Sequence, residues 1–123
     1  MCIRDRIERR YAAHNLHALS VHPGVIVNSI ARNLDQDFVR EVAQGPIAPL
    51  IKSNEQGAAT TVMAAIGKEW EGRGGVYLED CDEAVRGEDD GSPFSRGWVE
   101  HTYNVESEAR LWRDSVRIVG VVE

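Results

Sequence analysis

The sequence has few cysteines, no long apolar run and fewer basic than acidic residues. Its 123 residues include two cysteines, Cys2 and Cys81, which are too few and too far apart to define a disulfide scaffold or a four-ligand zinc site. No apolar run approaches the roughly 20 residues that cross a bilayer, so no transmembrane segment is expected. Fourteen basic residues against twenty acidic ones leave a net charge of −6, which argues against a nucleic-acid partner.

What remains is the composition of one soluble globular domain. Hydrophobic residues make up 42% of the chain and charged residues 28%. The first ten residues, MCIRDRIERR, are charged and lack the apolar stretch of a secretory signal. The low cysteine content favours a reducing compartment. By elimination, these features predict a cytoplasmic protein.

Four segments have the signals of amphipathic helices. The first, from Ile3 to Ala13, has apolar residues at every fourth position. The second, from Ile30 to Val42, has the same spacing and ends at Gly45. The third begins with the Ser53 capping-box pattern and runs to Ile66, and the fourth covers Val105 to Val119 before Gly120. Residues 79–101 are polar and are expected to be irregular surface.

Two short segments have the character of strands. Leu16 to Val21 is mostly apolar, is too short for a helix and ends at Pro23 and Gly24, which predicts a buried strand of a parallel sheet. Val76 to Leu78 is a second strand bounded by glycines. Because helices separate the two, they should be parallel and joined by a right-handed crossover.

The elements predict an α/β fold that is incomplete as a domain. Two parallel strands and about four helices fall short of the three strands that a stable sheet needs. A parallel sheet also needs both of its faces covered. We therefore interpret residues 1–123 as a single partial domain, the C-terminal part of a larger Rossmann-type, doubly wound parallel sheet.

Four stretches of sequence resemble one family. LHALSVHPGVIVNS, NEQGAATTVMAAI, GGVYLEDC and ARLWRDSVRIVG occur in the order found in the C-terminal part of short-chain dehydrogenases/reductases, of the retinol dehydrogenase-like and fungal types. The resemblance covers Ile7 to Gly120, whereas residues 1–6 show none and are expected not to be native family sequence. It implies a Rossmann fold and an NAD or NADP cofactor, with NADP favoured. The implied reaction is hydride transfer between an alcohol and a carbonyl, on a small hydrophobic substrate of the full-length protein.

The resemblance also assigns a cofactor-binding loop. In the family a PGxVxT motif follows a late strand and lies beside the nicotinamide, and this sequence has Pro23, Gly24 and Ile26 there, with Asn28 in place of the usual Thr. Open α/β sheets bind ligands beyond the carboxyl ends of their strands, which agrees with this placement. Asn28 could hydrogen-bond to nicotinamide or pyrophosphate. The helix from Ile30 to Val42 would be the substrate lid.

The family's catalytic residues have no counterpart in this sequence. The resemblance calls for a Gly-rich turn, a catalytic Ser and a Tyr-x-x-x-Lys pair. Tyr11 is at the wrong end of its helix, and Asn15 stands where the lysine would be needed. No catalytic residue is therefore assigned. The chain alone is expected to be inactive and to bind cofactor weakly or not at all.

Two alternatives stand beside this interpretation. The acidic residues around Cys81 could be calcium ligands, but they lack the alternating spacing of a calcium loop, so a solvated surface is favoured and no metal is assigned. The chain could also be a noncatalytic interaction module or a degenerate remnant, pairing with another chain through an exposed sheet edge. A homo-oligomer is possible under either interpretation.

Overall fold

The computed structural model describes residues 3–92 and 95–121. Cys2 and residues 93–94 of the predicted irregular segment 79–101 lie outside these ranges. In chain order the elements are α1 (Ile3–Tyr11), β1 (Leu19–His22), α2 (Gln36–Gln44), α3 (Asn54–Ile66), β2 (Val76–Glu79), β3 (Asp82–Glu83) and α4 (Val105–Val119), with short 3-10 turns between them. The four α-helices and the alternation of helix with strand confirm the predicted α/β class.

The sheet has three strands in the order β1-β2-β3. β1 and β2 are parallel, with Leu19 opposite Val76, as predicted. β3 was not predicted and pairs antiparallel with β2, so the prediction of two parallel strands is wrong in number and the sheet is mixed. Asp80 and Cys81 allow this hairpin because both adopt positive φ angles, 50° and 60°, as a tight primed turn requires.

Local capping explains one end of each of three helical segments, although α1 ends at Tyr11 and not at the predicted Ala13. At the start of α3 the Ser53 Oγ accepts from the Gln56 N–H at 3.2 Å, and the Gln56 Oε1 accepts from the Ser53 N–H at 2.9 Å. Asn15, after the 3-10 turn Ala12–His14 that follows α1, and Gly120, after α4, have φ angles of 59° and 69°. These left-handed residues end their helices as expected.

The predicted helix from Ile30 to Val42 is wrong as a single element. A 3-10 turn covers Ser29–Asn33, and α2 begins afresh at Gln36. The Asp35 carboxylate accepts hydrogen bonds from the backbone N–H groups of Asp37 and Phe38, at 2.8 and 3.0 Å. An N-cap needs extended rather than helical backbone, so Asp35 interrupts the apolar pattern.

The core within the described residues is small. Leu78 of β2 is fully buried, and Trp70 and Ala84 are 8% exposed. Thr60 of α3 is also fully buried and accepts a hydrogen bond of 3.1 Å from the Cys81 N–H, which joins the helix to the hairpin turn. β1 is only half-buried, contrary to the prediction, because it is the edge strand of the described sheet. This small core fits part of a Rossmann-like domain.

No helix among residues 3–92 and 95–121 is both long enough and apolar enough to span a bilayer.

Candidate functional site

The carboxyl ends of the two parallel strands meet at one edge of the sheet. His22, the last residue of β1, is opposite Glu79, the last residue of β2. Pro23 and Gly24 follow the first strand, and Asp80 follows the second. Ligands of open α/β sheets bind outside this edge, because the strand ends and the following loops form a crevice there.

A cavity of about 500 Å³ opens at this edge. Val25, Leu50 and Ile51 contribute apolar surface, while Lys52 and Asp80 contribute charge. The loop after β1 is held in place by the Lys52 N–H, which donates to the Val25 carbonyl at 2.8 Å. A cavity that combines apolar surface with fixed polar groups can hold a small molecule.

Of the four predicted cofactor-binding residues, Gly24 lines this cavity. Its φ angle of 87° lies in the region that favours glycine. A Cβ atom on Gly24 would lie 2.7 Å from the Cδ of Lys52, so a side chain there would require the lysine to move and would also be strained by the positive φ angle. The Pro-Gly turn therefore brings a residue without a side chain to the edge of the cavity, where the Lys52 side chain lies against one side of it.

The other three predicted residues do not line the cavity. The Ile26 side chain lies against α3, where a Cβ atom added to Gly57 would be only 2.5 Å from the Ile26 Cδ1. The Pro23 carbonyl oxygen would lie 3.8 Å from the same added Cβ atom on Gly57. The Asn28 Oδ1 accepts from the Ile30 N–H at 3.0 Å and caps the following 3-10 turn. The side-chain oxygen of Asn28 thus already has a partner within the chain.

Three charged residues at the cavity were missed by the sequence analysis. The Lys52 ammonium group pairs with Asp80 Oδ1, and the Arg96 guanidinium pairs with Asp80 Oδ2. Asp80 directly follows β2, at the edge of the sheet where ligands bind, and this position in the sequence could have indicated it as a site residue. The sequence predicts that the acidic residues around Cys81 form a solvated surface. In the structure the Asp80 side chain is 40% exposed and pairs with two cationic side chains.

Tyr77 of β2 also lines the cavity. Burial raises the pKa of its phenol above the ordinary value of 10.0, and the nearby Glu79 carboxylate raises the pKa further. A phenol with a raised pKa stays protonated at neutral pH. Tyr77 can therefore donate a hydrogen bond there, but it is a poor general base.

The segment predicted as a lid exposes its apolar side chains. Ile30 is 79% exposed, Leu34 53% and Phe38 56%. Polar contacts fix the backbone instead: Gln36 donates to the Leu34 carbonyl at 2.9 Å, and Arg40 pairs with Asp37 at 2.8 Å. The segment is thus locally ordered, with an apolar surface that no described residue covers.

The acidic loop after β3 has its own polar contacts. Asp90 accepts from the Ser92 N–H at 2.9 Å and from the Ser95 hydroxyl at 2.7 Å. These hydrogen bonds lower the pKa of the Asp90 carboxyl. In the part of the chain that the structure describes, no group of three His, Cys, Asp or Glu residues could hold a metal ion.

Comparison with known proteins finds similarity to oxidoreductases. The chain is 42% identical to the short-chain dehydrogenase/reductase prx1 of Penicillium roqueforti, over 97% of this chain and 35% of that protein. It is 37% identical to the oxidoreductase calI of Penicillium decumbens, over 95% and 36%, and 28% identical to retinol dehydrogenase 12 of Mus musculus, over 94% and 32%. No protein-family model matches the chain. No solved structure matches it.

Fold and site define an α/β protein with a cavity at the carboxyl ends of parallel strands, the edge at which open α/β sheets bind ligands. The chain is similar to short-chain dehydrogenases/reductases, and it matches a C-terminal part of these relatives. It spans about 35% of the length of the curated relatives that it matches. The predicted family resemblance is confirmed, and these relatives, which are named as oxidoreductases, do not favour the noncatalytic alternative.

Proposed function

We propose that this chain supplies the nicotinamide-side loop and the substrate lid of an NAD(P)-dependent oxidoreductase. Its substrate would be a small hydrophobic alcohol or carbonyl compound. The observation that carries the proposal is the Pro23-Gly24 turn, which follows β1 and borders the cavity at the carboxyl ends of β1 and β2. The apolar wall of Val25, Leu50 and Ile51 suits a hydrophobic substrate.

The turn has the properties that a flat nicotinamide ring needs. Gly24 presents backbone without a side chain, and its positive φ angle turns the chain sharply at the end of the strand. Pro23, Gly24, Ile26 and Asn28 would hold the cofactor, mainly through backbone, because the Ile26 side chain packs toward α3 and the Asn28 Oδ1 caps a helical turn. When bound, NAD or NADP would supply or accept the hydride, and we favour NADP.

Residues 1–123 alone should not catalyse the reaction. Tyr77, the tyrosine at the cavity, has a raised pKa and no lysine of a Tyr-x-x-x-Lys pair beside it in sequence. A general acid/base needs a pKa near the working pH. The cofactor's pyrophosphate would bind at a Gly-rich turn that this sequence does not contain, so its affinity for the chain alone should be weak.

Two further properties belong to the proposal. We place the protein in the cytoplasm, a reducing compartment in which the free thiol of Cys81 would persist. A homo-oligomer is supported by Val62 and Ile66, which are 52% and 78% exposed on α3 and could form an apolar contact with a second copy.

The decisive experiment is to sequence the transcript upstream of the codon for Ile7 and translate it in frame. A Gly-rich turn after a strand, followed by a Ser and a Tyr-x-x-x-Lys helix joining IERRY, would support the proposal. A stop codon in frame directly upstream of Met1 would overturn it. A parallel assay should find no turnover of any alcohol by the purified 123-residue chain, since detectable turnover would contradict the proposed division of roles.

A further inference from the structure

The side chain of Lys52 lies across the Pro-Gly turn. A Cβ atom on Gly24 would approach the Lys52 Cδ to 2.7 Å, Cε to 2.8 Å and Nζ to 3.0 Å, so the aliphatic stem covers the glycine. The Lys52 backbone N–H donates to the Val25 carbonyl at 2.8 Å, and Val25 forms a parallel bridge with Ile51. One residue thus contacts the turn through both its backbone and its side chain.

The far end of this side chain is fixed by Asp80. The Lys52 ammonium group pairs with Asp80 Oδ1, and Asp80 itself occupies the left-handed first position of the β2–β3 turn. That turn is joined to α3 by the hydrogen bond between the Cys81 N–H and the buried Thr60. Asp80 itself is exposed, so its position is held by this turn and by the turn's hydrogen bond to the buried Thr60 rather than by burial of its own.

A second cation binds the same carboxylate. Arg96 pairs with Asp80 Oδ2, and its neighbour Gly97 donates its N–H to Glu79 Oε1 at 2.7 Å. The other titratable groups that line this cavity are His22, Tyr77 and Glu79. The Asp80 carboxylate thus joins three parts of the chain: Lys52 just before α3, the β2–β3 turn and the segment around Arg96.

We propose that Lys52 and Asp80 form a positioning pair that holds the Pro23–Val25 turn in the geometry required for binding nicotinamide, an inference that rests on the proposed function above. Neither residue is proposed to touch the reacting atoms. The Lys52 side chain is 21% exposed and the Asp80 side chain 40%, so the pair is partly shielded from water and its free energy is not fully lost to screening. Breaking it should loosen the turn before it unfolds the chain.

Amide hydrogen exchange on the 123-residue chain tests this directly. The probe is the N–H of residue 52, which donates to Val25, and the reference is the N–H of Gly75, which donates to the Ala18 carbonyl at 2.8 Å at the opposite end of the strands. Lys52→Met keeps the stem and removes the charge. We expect it to lower protection at residue 52 by about two- to five-fold and to leave Gly75 unchanged.

Three further variants separate positioning from general stability. Lys52→Arg keeps the charge and should restore most of the protection at residue 52. In an Asp80→Asn background, Lys52→Met should have little additional effect, because the partner is already gone. Arg73→Met breaks an ion pair with Glu83 on the same hairpin, 2.9 Å long and about half-exposed, and should leave residue 52 unchanged.

The outcomes are distinguishable from those of the proposed function. Equal loss of protection at residue 52 and Gly75 would mean that the pair stabilises the whole chain and positions nothing. An unprotected residue 52 in the unmodified chain would also overturn the inference. Neither result depends on cofactor binding or on the upstream sequence, so the proposed function could stand while the positioning pair fails.

Discussion

Gly57 of α3 lies directly against Ile26 in the loop after β1. A Cβ atom on Gly57 would be 2.5 Å from the Ile26 Cδ1 and 2.7 Å from its Cγ1, closer than atoms pack without a shift. The glycine is buried although it lies within a helix, where glycine is otherwise unfavourable. The contact explains its place: only a residue without a side chain lets the loop that carries the Pro-Gly turn approach α3 so closely.

Gly57→Ala should therefore destabilise the chain. Overpacking costs about 1–3 kcal/mol, and the better helix propensity of alanine returns about 1 kcal/mol, so we expect the free energy of unfolding to fall by about 1 kcal/mol. Urea denaturation measures it. In an Ile26→Ala background the same change should be neutral or stabilising, because the opposing atoms are absent. Equal effects in both backgrounds would show that the contact does not limit the packing.

Gly74 is predicted to be more sensitive to substitution. A Cβ atom there would lie 1.8 Å from Glu8 Oε2 and 2.8 Å from the Ala18 backbone nitrogen, which cannot move aside as a side chain could. The Glu8 carboxylate accepts from the Ala18 N–H at 3.1 Å and lies 3.0 Å from the His17 Nδ1, so displacing it breaks two contacts at the start of β1. We expect Gly74→Ala to cost about 3 kcal/mol in unfolding free energy.

Gly72→Ala is the matched control for this substitution. Gly72 has a φ angle of 70° and nothing within 4 Å of an added Cβ, so alanine would suffer only the backbone strain, about 1–2 kcal/mol. Gly74→Ala should lower the denaturation midpoint more than Gly72→Ala. The reverse order would show that Glu8 gives way freely and does not anchor the strand.

A buried carboxylate provides the third prediction. Glu108 of α4 is 1% exposed, and its Oε1 accepts from the Arg9 Nε of α1 at 3.0 Å. Arg9→Met would leave this carboxylate buried without its charged partner, so the free energy of unfolding should fall by about 1–3 kcal/mol. Arg117→Met, which breaks an exposed pair with Asp114 on α4, should cost less than about 0.5 kcal/mol. Equal losses would mean that solvent screens the Arg9 pair as fully as the exposed one.

The sequence predicted the elements whose signals are local. The capping box at Ser53 and the terminal residues Asn15 and Gly120 act within one helical turn, so α3, α1 and α4 were found. Asp35 is also a local signal for the start of a helix, but the apolar residues spaced by four on both sides of it predict one continuous helix. β3 could not be predicted from its two residues, because its pairing depends on the positive φ angles that Asp80 and Cys81 adopt in the folded hairpin.

The candidate site was predictable only in part. Pro23 and Gly24 indicate the end of a strand within their own sequence, and of the two Gly24 lines the cavity. Lys52 and Asp80 are 28 residues apart, and Asp80 and Arg96 are 16 apart, so nothing in either neighbourhood indicates their pairing. It arises from the parallel register of β1 and β2, which brings the loops after both strands to one edge.

The raised pKa of Tyr77 predicts a stability that declines in alkali. Its folded-state pKa lies above the ordinary 10.0 because burial disfavours the phenolate, and the Glu79 carboxylate adds to the effect. A group whose pKa is raised by folding contributes stability that is fully present below its unfolded pKa and lost as the pH rises through its folded pKa. Urea unfolding measured from about pH 9 to pH 12 should therefore show a falling free energy in the unmodified chain. Tyr77→Phe should flatten that decline, whereas Tyr103→Phe, which leaves Tyr77 in place, should retain it. An undiminished decline in Tyr77→Phe would show that the phenol meets the solvent freely and that the cavity does not shield it.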